Sequence, residues 1–197
     1  MDPRDLWGLV GSALVLAWGV MAVIPLKKTS ARRLVAAALT GMAFLPLWKG
    51  LSAAAYLRGI VGDVSAVTVM LSMMSLFGGE GGKNNARDWF LGMILLSGLI
   101  LYPLSLGPFA ADPYQWGYRP WWILAAVAFG GLILFRRQPS AAYYLAFPVA
   151  AFALHLSWSS NLWDYLVDPL VFLYALFSVV RRGVRCALPS GEGFSLN

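Results

Sequence analysis

Six polar side chains in this sequence have types and positions that could do chemistry: Lys49, Arg58, Asp63, His155, Asp164 and Asp168. Each lies within or beside a long apolar stretch. An ionised group at the centre of a bilayer costs roughly 3 kcal/mol or more, so such groups turn toward protein and pair. Two cations and three carboxylates can therefore form one polar cluster. In that cluster Lys49 and Arg58 would be anion-binding groups. Arg58 could grip phosphate or carboxylate through its planar fork, and Lys49 would act as a point charge. An aspartate whose pKa is raised by burial could serve as a general base. The competing reading is that the same pairs only pin helices together, with Asp164 an interfacial, solvated carboxylate.

Asp164 and Asp168 stand four apart in the run from Asn161 to Pro169. A continuous helix would place them on one face, one turn apart, with Asp168 about 10 Å along the axis from Asn161. Pro169 removes a backbone donor and kinks such a helix. The preferred expectation is a kinked span over Asn161 to Val180. The other is a short interfacial helix over Asn161 to Asp168, followed by a span that starts at Pro169. His155, the sole histidine, reads as a hydrogen-bonded interfacial side chain, or as a proton-relay member with Asp164 as its carboxylate neighbour. Ser65, Thr68, Ser72 and Ser75 form a small-polar stripe at helical spacing, suited to close packing with interhelical hydrogen bonds or to a hydroxyl-lined path.

Other chemistries are excluded by residue type. One cysteine, Cys186, forbids an intrachain disulfide and a Cys-rich metal site. One histidine removes bis-His haem and His-rich zinc sites. No Gly-x-Ser-x-Gly, His-Glu-x-x-His or Walker pattern occurs. The sequence implies no metal and no cofactor, and it names no reaction.

The elements that must position these residues are apolar. Of 197 residues 59% are hydrophobic and 12% charged, against about 25% charged in an ordinary soluble domain. Mean hydropathy is +0.68. Continuous apolar runs exclude a transmembrane barrel, whose strands alternate, and predict an all-α, polytopic transmembrane helix bundle. About seven spans are expected, near Leu6 to Leu26, Leu34 to Leu57, Val64 to Phe77, Trp89 to Leu106, Pro120 to Phe135, Ser140 to Leu156 and Asn161 to Val180. Pro46 would kink the second and Lys49 interrupt it. A shorter span to Trp48, followed by an interfacial segment, is the alternative. Residues 1–187 form a single domain, and 188–197 a polar tail. The first run lacks a basic leader and a cleavage site, so it reads as a retained span.

Basic residues orient the bundle. With the N-terminus outside, Lys27, Lys28, Arg32, Arg33, Lys83, Arg87, Arg136, Arg137, Arg181, Arg182 and Arg185 all fall inside. Only Arg4, Lys49, Arg58 and Arg119 stay outside, which satisfies the positive-inside rule as N-out, C-in. The net charge of +6 thus encodes topology, and no basic patch of nucleic-acid type accompanies it. The short loops point to a bacterial cytoplasmic membrane. The function expected is a non-catalytic subunit or accessory of an envelope-assembly or transport system, whose outward-facing polar cluster binds a lipid headgroup or a partner. The alternative is a membrane-embedded enzyme or transporter for a lipid-linked or small anionic substrate at the outer face. The partners implied are membrane lipid, other membrane-protein subunits, or further copies of the chain.

Overall fold

The structure, a computed structural model, describes residues 1–24, 29–78, 85–107, 112–137 and 142–187. Lys27, Lys28, Lys83 and the tail 188–197 lie outside the described residues, and Arg185 and Cys186 are described by their backbone only. The fold is all-α apart from one small hairpin. The chain runs through α1 (Pro3–Val23), α2 (Thr29–Met42), β1 (Pro46–Trp48), β2 (Leu51–Ser52), α3 (Ala53–Val61), α4 (Ala66–Phe77) and α5 (Asn85–Leu106). A 3-10 helix (Pro113–Tyr118), α6 (Trp121–Arg137), α7 (Ala142–Ala153), α8 (Trp163–Leu166) and α9 (Pro169–Ala187) follow.

Two described helices are long and apolar enough to cross a membrane, Pro3–Val23 and Ala86–Leu106. Ala66–Phe77, Trp121–Ile133 and Ala142–Ala153 are apolar but shorter. Of the expected spans, the second and seventh differ most from their sequence reading. The second does not run on as a kinked helix. The ring of Pro46 would collide with the carbonyl four residues back, that of Met42, and α2 ends there. Lys49 and Gly50, both at positive φ, then make the two-residue turn of a hairpin in which Trp48 faces Leu51. The seventh span also breaks. Val167 is extended, with φ −135° and ψ 122°, and α9 begins at Pro169, the N-terminal position that proline favours. The short-helix reading of Asn161 to Asp168 is the one that forms.

α1, α4 and α9 start at one end of the bundle, and α2 and α5 start at the other. At one end the first turn of α1, the α3–α4 junction, the end of α5 and the start of α9 meet, through Asp5, Arg58, Asp63, Ser65 and Asp168. At the other end, Trp18 of α1 donates to Ser75 Oγ of α4 at 3.1 Å, and Arg32 of α2 donates to the Ser75 carbonyl at 3.2 Å. There Arg87 and Asp88 of α5 also bond Tyr174 and Arg182 of α9. The core runs between these ends. Phe90, Leu91, Tyr144, Tyr165 and Val67 are buried in one large cluster. Leu14, Ala17, Val69 and Leu76 bury the α1–α4 contact. Ala43 and Ala54 pack against Ala13, Leu9 and Leu16, and Ala54 N donates to the Ala43 carbonyl at 3.0 Å. The Ser65 to Ser75 stripe faces protein: Ser65, Thr68 and Ser72 are buried, and Ser75 accepts the Trp18 bond.

Candidate functional site

The polar groups gather where five helix ends converge, those of α1, α3, α4, α5 and α9. Arg58, in the last turn of α3, donates from Nε to Asp63 Oδ1 at 2.6 Å and from Nη1 to Asp5 Oδ1 at 3.2 Å. All three side chains are partly buried. Gly8 makes room for them, since a Cβ there would overlap Asp63 Oδ1 and stand 2.5 Å from Arg58 Nε. Trp158 Nε1 donates to Asp5 at 3.1 Å, and the Arg4 guanidinium lies 5.0 Å from the centre of the Trp158 ring. Ser157 Oγ donates to Asp63 Oδ2 at 3.4 Å. One guanidinium is thus held between two carboxylates, with a separate N–H group of its planar fork directed at each.

Asp168 is 7% exposed and has no cation among its hydrogen-bond partners. Its Oδ1 accepts from Val171 N at 2.7 Å, which caps α9. Its Oδ2 accepts from Ser65 N at 2.6 Å and from Thr68 Oγ1 at 2.7 Å, at the start of α4. Two helix N-termini therefore hold its charge. Orphan N–H groups and the positive ends of both helix dipoles replace the expected lysine or arginine.

Asp164 accepts from the Tyr114 hydroxyl at 2.9 Å on each oxygen and from Ser159 Oγ at 2.6 Å. Burial, then the bond to Asp164 and its negative charge, push the Tyr114 phenol well above its ordinary pKa. The 3-10 helix that carries Tyr114 is fixed by Asp112, which caps it, and by Asn161. Asn161 is fully buried, donates to the Tyr114 carbonyl at 3.0 Å and accepts from Trp163 N at 3.0 Å. Gly117 allows this approach, since a Cβ there would overlap Asn161 Oδ1. The Tyr165 hydroxyl ties down the Ser157–Ser159 turn, accepting from Ser157 N at 3.1 Å.

These groups surround a cavity of about 510 Å³ lined by Asp63, Asp112, Asp164, Asp168, Tyr102, Tyr114, Ser105, Ser157 and Ser159, with apolar residues between them. The structure thus brings Asp63, Asp164 and Asp168 to one cavity, with Arg58 behind its wall. Asp164 and Asp168 reach it from either side of a chain break, not from one helical face. Lys49 is elsewhere: it sits exposed at the hairpin tip, its Nζ 4.9 Å from the centre of the Trp48 ring. His155 is exposed too, at φ +50° just past α7, with its ring on Phe152. The carboxylate expected beside it, Asp164, is committed to Tyr114 and Ser159.

Sequence reasoning missed Asp5, Asp112, Tyr114, Ser105 and Asn161. Asp112-Pro113 and Asn161-Leu162-Trp163 carry legible cap patterns, whereas nothing local marks Asp5 or Ser105. Ser105 Oγ is shielded from solvent and has no hydrogen-bond partner among the described residues.

Chemically the cavity offers acceptors. Among the described residues the guanidinium beside it, that of Arg58, is already bonded to two carboxylates, so the lining favours a ligand that brings N–H or O–H donors over an anion. No group of three or more His, Cys, Asp or Glu side chains among the described residues is arranged to hold a metal ion. Comparison with protein-family models, with curated proteins and with solved structures finds no match to this chain.

Proposed function

We propose that this chain is an integral, multi-pass membrane protein of a bacterial cytoplasmic membrane, and that it serves as a non-catalytic subunit or accessory of an envelope-assembly or transport system. In this reading the chain passes seven times, N-out and C-in: α1, α2 with α3, α4, α5, α6, α7 and α9. The opposite starting ends of α4, α5 and α9 are consistent with the count, and the basic residues near the inner ends support the orientation. α4 and α7, at 12 residues each, measure about 18 Å against a hydrocarbon core of about 30 Å. They cross together with their flanking segments, and α4 is largely surrounded by protein.

One observation carries the subunit reading. The hairpin leaves the bundle beside Ala13, about 15 Å along α1 from Pro3 and so near mid-depth. Leu47 is 69% exposed and Trp48 68%, with Leu45 and Leu51 also exposed. A two-stranded ribbon leaves backbone groups unpaired on its outer edges. Lipid cannot satisfy such groups, and non-helical backbone at membrane depth is tolerated where protein or water covers it. The hairpin is therefore the contact for another membrane polypeptide. The acidic lining of the cavity weighs against the alternative of an enzyme or transporter for an anionic substrate at this end.

Two experiments test the reading. A photo-crosslinking residue at Leu47 should give a discrete adduct with a second membrane polypeptide in cells; adducts with lipid alone overturn the subunit role. A single cysteine at the exposed Gln115, in a Cys186→Ser background, should react with a membrane-impermeant maleimide in intact cells. Native Cys186 should react only after permeabilisation, and the reverse pattern overturns the orientation.

A further inference from the structure

We infer that the acidic cavity is the head site of a longer amphiphile site, and that its ligand is a single-chain lipid with a primary ammonium head. The inference rests on the membrane reading above and names the ligand of its outer-end cavity. A second cavity, of about 410 Å³, lies deeper between α5, α6 and α8 and is almost wholly apolar. Val167, the extended residue between α8 and α9, lines both cavities. One face of α5 lines them in succession: Phe90, Ile94 and Ser97 the deep one, Leu101 and Ser105 the outer one. These positions follow helical i, i+4, i+7, i+11, i+15 spacing. From Phe90 to Ser105 the face is about 22 Å long, polar at its outer end and apolar below.

This profile matches one kind of molecule. The apolar cavity takes a hydrocarbon chain: it runs from Trp116, Trp122 and Trp163 at the outer end, where such side chains favour a membrane interface, down to Phe90. The outer cavity takes the head. Its four carboxylates accept and cannot donate, and an ammonium brings three donors and the complementary charge. Each cavity lies within the usual size range of small-molecule sites, roughly 300–1,000 Å³.

The test uses the full-length protein in a mild non-ionic detergent, with native mass spectrometry as readout. The probes are palmitoyl lysophosphatidylethanolamine and palmitoyl lysophosphatidylglycerol, which share chain and phosphate and differ in the ammonium. The ethanolamine lipid should bind at least tenfold more tightly, and Asp164→Asn should erase most of that preference. Val167→Trp, which closes the junction, and Ser97→Phe, which fills the deep cavity, should each weaken the ethanolamine lipid at least tenfold. Ser97→Phe leaves the junction and the polar network untouched, so it decides the matter if Val167→Trp does not fold. Equal binding of the two lipids overturns the head assignment, and unchanged binding by folded Ser97→Phe overturns the continuous site. Fractionation of the chain away from membranes overturns the membrane reading instead, so the two failures are distinct.

Discussion

Asp168→Asn separates a structural carboxylate from a catalytic one. The substitution keeps size and one acceptor oxygen. If that oxygen stays on Val171 N, the new amide faces Ser65 N, which now sits 2.6 Å from a carboxylate oxygen. A buried N–H loses its partner, at a cost of about 1–3 kcal/mol. Thr68 can rotate its hydroxyl to accept from the amide, so its loss is small. Removing the charge from two helix N-termini costs about 0.3–1 kcal/mol at each. The total is about 2–5 kcal/mol. At about 2–4 °C per kcal/mol for a chain of this size, the melting midpoint in detergent should fall by roughly 4–20 °C, and Asp168→Ala should fall further. Because no cation holds Asp168, removing Arg58 as well should not rescue the loss. A midpoint within about 2 °C of wild type, or rescue by the Arg58 change, would refute the double-cap account and restore the expected ion pair.

Three other experiments probe the same end of the bundle. Gly117→Ala forces a Cβ onto Asn161 Oδ1 and should cost about 1–3 kcal/mol in thermal melts, whereas Gly59→Ala, in open space on α3, should be neutral or stabilising by up to about 1 kcal/mol. A double-mutant cycle of Arg58→Met and Asp63→Asn should give a coupling of about 1–2 kcal/mol, with Arg58→Lys losing most of it because a flexible ammonium lacks the pre-oriented N–H groups that face Asp63 and Asp5. The Tyr114 phenol, raised above its ordinary value of 10, favours its protonated form in the fold. Its contribution is therefore complete below about pH 10 and lost as pH rises beyond it. The difference in phenolate absorbance between wild type and Tyr114→Phe should appear only above pH 10, and a difference below it counts against the Asp164 bond.

The apolar runs were legible because their length and continuity are set by local composition, and α1 and α5 fall where those runs predict. The breaks were legible only in part. Pro46 and Pro169 were read as kinks, yet the helix stops before each, α2 at Met42 and α8 at Leu166, because a competing structure was available at both places. At Pro46 the Lys49-Gly50 turn closes a hairpin. At Pro169 the Asp168 carboxylate supplies the capping acceptor that a new helix start needs. The cap on Val171 lies three residues away and is visible in the sequence. The bonds to Ser65 and Thr68 span about a hundred residues, and no local pattern announces them. The same holds for Asp5, whose partner Arg58 is 53 residues distant.

The error over Asp168 has a general physical origin. Counting ionisable side chains assumes that a buried carboxylate needs a side-chain cation, so three aspartates and two basic residues looked like a set. A helix N-terminus also presents positive potential, equivalent to about half an elementary charge, and unpaired N–H donors. It carries no marker in composition. Two such termini at Asp168 free Lys49 to leave the cluster for the hairpin and leave Arg58 to Asp5 and Asp63. The cavity between them is then short of positive side chains, although the chain as a whole carries a net charge of +6. That local inversion of sign, produced by backbone and invisible to residue counting, is what turns an expected anion site into one suited to a donor-bearing head.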